Sequence, residues 1–262
     1  MTIVAGCDVG SLTAKAVILK DKKLIATAMV RSRAKPQQSA NNAMSEALSQ
    51  CGLTQTDIQL CVGTGYGRNQ IPFVNDVKSE IACHAKGAKW LMPAVKTIID
   101  IGGQDCKIMK IDKNAHVQTF LTNDKCASGT GRFLEVMAQV LNIDIDELGH
   151  LTQKSNSPIT LASTCTVWAQ ADVIKHINDG VPPEDIGAGI NAAMANRVSI
   201  LVRSIKPEKD IAMTGGVAKN QGVLSVMEKI LGQRIKKIRK ADPQLAGAIG
   251  AALFAQEKST NK

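Results

Sequence analysis

The chain is short of aromatic side chains: 262 residues carry four Phe, two Trp and one Tyr. An aromatic stacking platform for single-stranded nucleic acid needs clustered rings, so that function is not expected. Long apolar runs are lacking too. Leu245 to Ala255 is the longest uncharged apolar stretch near the C-terminus, and a bilayer needs about 20 such residues. The N-terminus shows no basic stretch followed by an apolar one, and Asp8 interrupts early. No signal peptide is expected, and a cytoplasmic address follows. The seven cysteines are an odd number. In a reducing compartment they are thiols rather than a disulfide framework, and some could ligate metal. Two nucleotide signatures are absent. No G-x-x-x-x-G-K-[ST] occurs, which excludes a P-loop. No G-x-G-x-x-G follows a strand, and Gly129-Thr130-Gly131 fails at the third glycine.

What is present fits a globular protein that can bury a core. The composition is 44% hydrophobic and 21% charged, and the length suits one large domain or two lobes. The core must be built from Val, Ile, Leu, Ala and Met. Strands are predicted at Ile3–Cys7, Ala14–Leu19 and Leu24–Val30. A helix is predicted over Ser39–Leu48, closed by Gly52. Further strands fall at Thr97–Ile99, Lys107–Ile111 and Val117–Leu121. Helical faces are marked by Phe133, Val136, Met137, Val140 and Leu141, then by Val167, Ala171, Ile174 and Asn178, then over Ile186–Ile205. Asp210–Gly216 reads as a strand ending in two glycines, with Val217 opening a helix, and Leu245–Gln256 as an Ala/Gly-rich helix. Strands alternating with helices give an α/β class.

Two of these stretches repeat. In register, Asp8 falls on Asp100, Gly10 on Gly102, Ser11 on Gly103, Thr13 on Asp105 and Lys15 on Lys107. Either two glycine hairpins coincide, or two lobes each present one glycine turn to a shared ligand. Asp8 through Lys15 lets backbone approach an anion, because glycine has no Cβ to hold phosphate oxygens away. Gly10, Ser11, Leu12, Thr13, Ala14 and Lys15 are the candidate phosphate residues. Asp100, Gly102, Gly103, Gln104 and Asp105 can act likewise. The carboxylates of Asp8, Asp100 and Asp105 suit the waters of Mg²⁺, which keeps much of its hydration. Asp8 and Asp100 could instead close their own turns. Thr214-Gly215-Gly216 lets a flat ring or ribose lie on backbone at a helix start.

Cys126 and Cys165 each stand before a predicted helix, where free N–H groups favour an anion. By spacing alone they are ordinary buried thiols or ligands; no C-x₂-C joins them. Cys7, Cys51, Cys61, Cys83 and Cys106 read as core residues. Trp168 is either helix-packing bulk or cover for a site at Cys165. The basic cluster Arg234, Lys236, Lys237, Arg239 and Lys240 alternates with Ile235 and Ile238. It reads as a half-exposed strand with a solvated face, or as a docking surface for an acidic partner, and no nucleic-acid motif accompanies it. No histidine has ligand spacing.

The stretches GCDVGSLTAK, TGYGRNQI, DIGGQDCK, NDKCASGTGRFLEVMA, STCTVWAQADVI, MTGGVAKN and GAIGAALFA resemble one family closely. They are similar to the ATPase activators of 2-hydroxyacyl-CoA dehydratases, a family that also holds the ATPase subunits of benzoyl-CoA reductase. It belongs to the actin, heat-shock chaperone and sugar-kinase superfamily. The resemblance implies a two-lobed actin-like α/β fold with duplicated ribonuclease H-like lobes and nucleotide between them. The lobes would be 1–95 and 96–262, with the last helix, 245–256, packing back toward the first. It implies ATP/ADP and Mg²⁺ as ligands, with Gly215, Gly216 and Gln244 at adenosine. Cys126 and Cys165 would hold one [4Fe-4S] cluster shared across a homodimer, two thiolates from each chain. A ferredoxin or flavodoxin would supply the electron, and a 2-hydroxyacyl-CoA dehydratase or acyl-CoA reductase component would receive it; no membrane or nucleic-acid partner is implied. Gln104 stands where the superfamily's sugar kinases use a carboxylate base. An amide orients water but cannot take a proton, so slow ATP hydrolysis without sugar phosphorylation is expected. A small-molecule kinase or a cluster-free nucleotide-gated scaffold of the same fold are the competing readings.

Overall fold

The computed structural model describes residues 2–163 and 165–260, so Thr164 of the STCT stretch lies outside the described residues. The chain opens with strands β1 (Ile3–Val9), β2 (Thr13–Lys20) and β3 (Lys23–Arg31), then helix α1 (Pro36–Cys51), β4 (Leu60–Thr64), the short β5 (Asp76–Val77) and α2 (Glu80–Leu91). There follow β6 (Thr97–Ile101), β7 (Cys106–Ile111), β8 (Val117–Asn123), α3 (Gly131–Val140), α4 (Ile145–Lys154), α5 (Thr166–Asn178) and α6 (Pro183–Ser204). The last elements are β9 (Ile211–Thr214), α7 (Gln221–Leu231), β10 (Ile235–Lys236) and α8 (Ala246–Thr260). Two compact units result. Unit 1 holds Met1–Val95, Ile111–Gln118 and Ile238–Lys262; unit 2 holds Lys96–Lys110 and Thr119–Lys237. Contacts therefore count the chain from Ile238 with unit 1, where the sequence reading drew one boundary at residue 95.

The sheets repeat one another. The first has the order β3-β2-β1-β4-β5 and the second β10-β9-β6-β7-β8. In each, a central strand pairs antiparallel with its hairpin partner on one side and parallel with a later strand on the other. That strand is β1 between β2 and β4, and β6 between β7 and β9. The expected α/β class is therefore present, and the repeat extends from a loop to whole sheets.

Each unit has its own core. In unit 1, Ala5, Cys7, Ala16 and Ile18 of the sheet pack with Ala40, Ala43, Met44 and Ala47 of α1. Gly52 ends α1 in the left-handed conformation at φ 65°, its N–H returning to Leu48 O, which satisfies a carbonyl the helix leaves open. Helix α8 packs on α2, β1 and β4. Its small residues permit this, since a Cβ at Gly250 would lie 1.8 Å from Cys83 O on α2. In unit 2, Ile99, Ile101 and Ile108 pack with Phe133, Met137, Ile190, Met194 and Val198. Among the described residues no helix is long and apolar enough to cross a membrane.

Candidate functional site

The two hairpins predicted to repeat do so in register. Asp8 faces Lys15 across β1 and β2, and Asp100 faces Lys107 across β6 and β7. The turns close alike: Gly10 N donates to Thr13 O at 3.1 Å, and Gly102 N to Asp105 O at 3.0 Å. A Cβ at Gly10 would stand 3.4 Å from Lys15 Nζ, and one at Gly102 2.9 Å from Asp105 Oδ1.

In unit 1, Asp8 is 2% exposed. Its Oδ2 accepts from Lys15 Nζ at 3.2 Å, while its buried Oδ1 has no hydrogen-bond partner among the described residues. Asp8 therefore does not close its own turn. A carboxylate oxygen buried without a donor costs free energy, and a cation or its water would offset that. The residue fits a hydrated Mg²⁺ on this ground. Ser32, absent from the sequence reading, fixes the turn: its N–H donates to Leu12 O at 2.8 Å and its hydroxyl to Gly10 O at 2.8 Å.

In unit 2 the second carboxylate is committed differently. Asp100 is buried, and its Oδ1 accepts from Thr214 Oγ1 at 2.6 Å. Lys107 donates to Asp105 Oδ2 at 2.5 Å. Where the first hairpin has Thr13 the second has Asp105, so the second lysine has a carboxylate two residues before it as a partner. Gln104 is exposed at the tip of this turn. Gly215 follows β9 with φ 82°, and a Cβ there would lie 2.2 Å from Ile101 O. Gly216 opens a short 3₁₀ turn, Gly216–Lys219, rather than the helix expected at Val217; α7 begins at Gln221 behind an Asn220 cap. Gln244 lies in unit 1, in the 3₁₀ turn Pro243–Leu245 that leads into α8.

The second turn is bonded to the Cys126 segment. Gly131 N donates to Gly102 O at 2.8 Å and Arg132 N to Gly103 O at 2.9 Å. The first amides of α3 thus end on the carbonyls of the glycine turn.

Cys126 does not stand at the start of α3, as its sequence context suggested. It caps the three-residue 3₁₀ turn Ala127–Gly129, and Thr130 caps α3. The thiol is activated locally instead. Cys126 Sγ lies 3.1 Å from Ser128 Oγ. Hydrogen bonds from the Ser128 hydroxyl and amide hold the thiol below its ordinary value, and the positive charge of Arg197 on α6 adds to them. Cys165 is exposed and does cap α5. The other cysteines differ. Cys7, Cys61, Cys83 and Cys106 are buried. Burial pushes the Cys61 and Cys83 thiols up to about 12 and raises Cys7 and Cys106 as well. By donor chemistry Cys126 and Cys165 fit thiolate ligation and these four do not. No group of three or more His, Cys, Asp or Glu gathers for a metal among the described residues. Two thiols are half of a four-thiolate set.

Trp168 is 67% exposed and Val167 68%, so neither is packing bulk. The stripe that marked α5 in the sequence faces outward, with Ile174 and Ile177 also exposed, while Ala169 and Val173 face the core. In the basic cluster Ile235 and Ile238 are buried and the five cations exposed. Lys236 pairs with Asp210, and Lys240 lies over the Trp90 ring.

Three likenesses bear on this arrangement. The chain is 41% identical over 254 residues to the 2-hydroxyisocaproyl-CoA dehydratase activator of Clostridioides difficile, covering 97% of this chain and 95% of that protein. It superposes with a TM-score of 0.95, at 40% identity, on a solved activator of the 2-hydroxyisocaproyl-CoA dehydratase from Clostridium difficile with bound ADPNP, covering 99% of this chain and 96% of that one. A glucokinase of the ROK family from Streptomyces griseus is alike in fold alone, with a TM-score of 0.57 at 14% identity over 97% of this chain and 99% of that one. The sequence model of the BadF/BadG/BcrA/BcrD ATPase family matches residues 5–255. The paired glycine hairpins and the two accessible cysteines therefore sit on an actin-like scaffold, and the chain belongs to the BadF/BadG/BcrA/BcrD ATPase family.

Proposed function

We propose that this ATPase is the ATP-dependent activator of a 2-hydroxyacyl-CoA dehydratase or a related acyl-CoA reductase, to which it delivers one low-potential electron per event. The relatives named as activators support the coarser part. One observation carries the finer part: the Gly102–Gly103 turn accepts hydrogen bonds from Gly131 and Arg132, a few residues after Cys126. A turn that moves with its phosphate ligand then moves the cysteine segment with it.

The roles follow from chemistry. Backbone of the Gly10–Ala14 and Gly102–Gly103 turns approaches the phosphates, the N–H groups of Gly10 and Gly102 themselves closing the turns, with Lys15 adding charge. Asp8, Asp100 and Asp105 hold Mg²⁺ and its waters, and the open Oδ1 of Asp8 makes it the foremost of the three. Gln104 orients the attacking water and cannot abstract its proton. Gly215, Gly216 and Gln244 contact adenosine. Cys126 and Cys165 hold one half of a [4Fe-4S] cluster, and a second copy holds the other half. Such a cluster, when bound, supplies a one-electron carrier. The outward apolar residues beside Cys165 suit a second copy, because exposed rings and branched chains gain by burial. A ferredoxin or flavodoxin serves as donor.

The test mixes anaerobically reduced protein with a purified 2-hydroxyacyl-CoA dehydratase component. Dehydration that starts only when ATP is added supports the reading. Activation that proceeds equally without ATP, or ATP-dependent phosphorylation of a small hydroxyl compound, contradicts it.

A further inference from the structure

Arg197 lies outside every motif of the sequence, yet the fold brings it to Cys126. It projects from α6, which packs on the Ala127–Gly129 turn that Cys126 caps. Gly129 lies against both residues that hold this turn: a Cβ there would stand 3.0 Å from Asn123 Nδ2 and in ordinary contact with Arg197 Cγ at 3.5 Å and Val198 Cγ2 at 3.8 Å. The Asn123 amide donates to Cys126 O at 2.9 Å. Arg197 Nε is buried and has no hydrogen-bond partner among the described residues. A buried guanidinium N–H without an acceptor is costly, so an acceptor brought to this turn would relieve it.

We propose that Arg197 is a positioning residue that sets the reduction potential of the group held by Cys126. This rests on the cluster reading above. One-electron reduction adds negative charge to a site that is already anionic. A fixed cation beside the turn that Cys126 caps, with a buried N–H to donate, favours the reduced form. Arg197 is suited to this because its charge does not titrate. It thereby sets how readily the donor loads the site, and how strongly the site pushes its electron on.

The experiment is a redox titration of anaerobically purified protein with titanium(III) citrate, followed by visible absorption and electron paramagnetic resonance. Iron content and circular dichroism are recorded for each sample. Arg197→Met removes the charge and keeps most of the stem; Arg197→Lys keeps the charge. The expected result is full iron in both, with the Met variant about tenfold less reduced at a fixed donor potential, a fall of about 59 mV for a one-electron couple. The Lys variant stays within about threefold of the parent, because a point charge remains. A Met variant with full iron and an unchanged midpoint overturns the role of Arg197 and leaves the cluster reading standing. Loss of iron in both variants assigns Arg197 to packing and also overturns it. Parent protein that binds no iron removes the reading on which the proposal rests.

Discussion

At the residue scale, the two glycine turns were legible because their chemistry is contiguous. Asp8 to Lys15 and Asp100 to Lys107 each fold on themselves, and their hairpin register follows from adjacent residues. What decides the environment of each carboxylate was not legible. Asp100 is held by Thr214, more than a hundred residues away, through parallel pairing of β6 with β9. Ser32 and Arg197 share that difficulty. The position of Cys126 was misread for a local reason. Ser128 and Gly129 turn the chain once more before Thr130 caps the helix, and an interposed 3₁₀ turn leaves no periodic trace. Gly215 shows how strictly one residue can be required. Its φ of 82° and the 2.2 Å approach of Ile101 O leave no space for a methyl group. Gly215→Ala is expected to cost about 1–3 kcal/mol. It should lower the melting temperature by several degrees and weaken ATP binding with it, as read by calorimetry with and without nucleotide. An unchanged melting temperature would contradict this geometry.

At the element scale, helices were found by their apolar stripes, but one such stripe does not face the core. Val167, Ala171 and Ile174 recur at helical spacing, which periodicity alone reads as a core face. The fold gives the core Ala169 and Val173 instead and leaves the bulkier side chains outside. If that face meets a second copy, Trp168→Glu places a charge in an apolar contact. The variant should then sediment as a monomer at concentrations where the parent is a dimer, with the melting temperature of the monomer little changed; a dimer of parental affinity would contradict it. Helix α4 was missed although Asp144 and Glu147 form a capping box, a signal readable in the sequence. At the start of α6, Asp185 Oδ1 accepts from Ser155 Oγ at 2.6 Å and from Asn156 N and Ser157 N at 3.0 and 2.9 Å. These bonds, that of Ser155 foremost, hold its carboxyl below the ordinary value. The folded value is depressed, so its contribution is fully present above the unfolded carboxylate value of about 3.9 and lost as pH falls through the folded one. Asp185→Asn should lower the melting temperature at neutral pH and flatten its decline below about pH 4. A decline as steep as the parent's would show that other carboxylates carry it.

At the scale of the whole molecule, the repeat read from one loop is the repeat of a sheet. Strand order β3-β2-β1-β4-β5 recurs as β8-β7-β6-β9-β10. Only the hairpin part was visible in the sequence, because β5 and β10 are two residues each and too short to carry a pattern. The scarcity of aromatics is explained by the cores, which are filled by Val, Ile, Leu, Ala and Met with Phe133 among the few rings fully enclosed. The net charge of +9 is carried in part by exposed cations at Arg234, Lys236, Lys237, Arg239 and Lys240, and such charge speeds encounter with acidic partners. The central claim is that two cysteines of one chain and two of a second copy hold one electron carrier. It is tested most directly by iron and acid-labile sulfide analysis of anaerobically purified protein, with its mass in solution measured on the same sample. The account predicts a brown dimer with about four irons, which Cys126→Ala turns colourless while ATP binding is retained. A parent protein that is colourless and iron-free under the same conditions would contradict it.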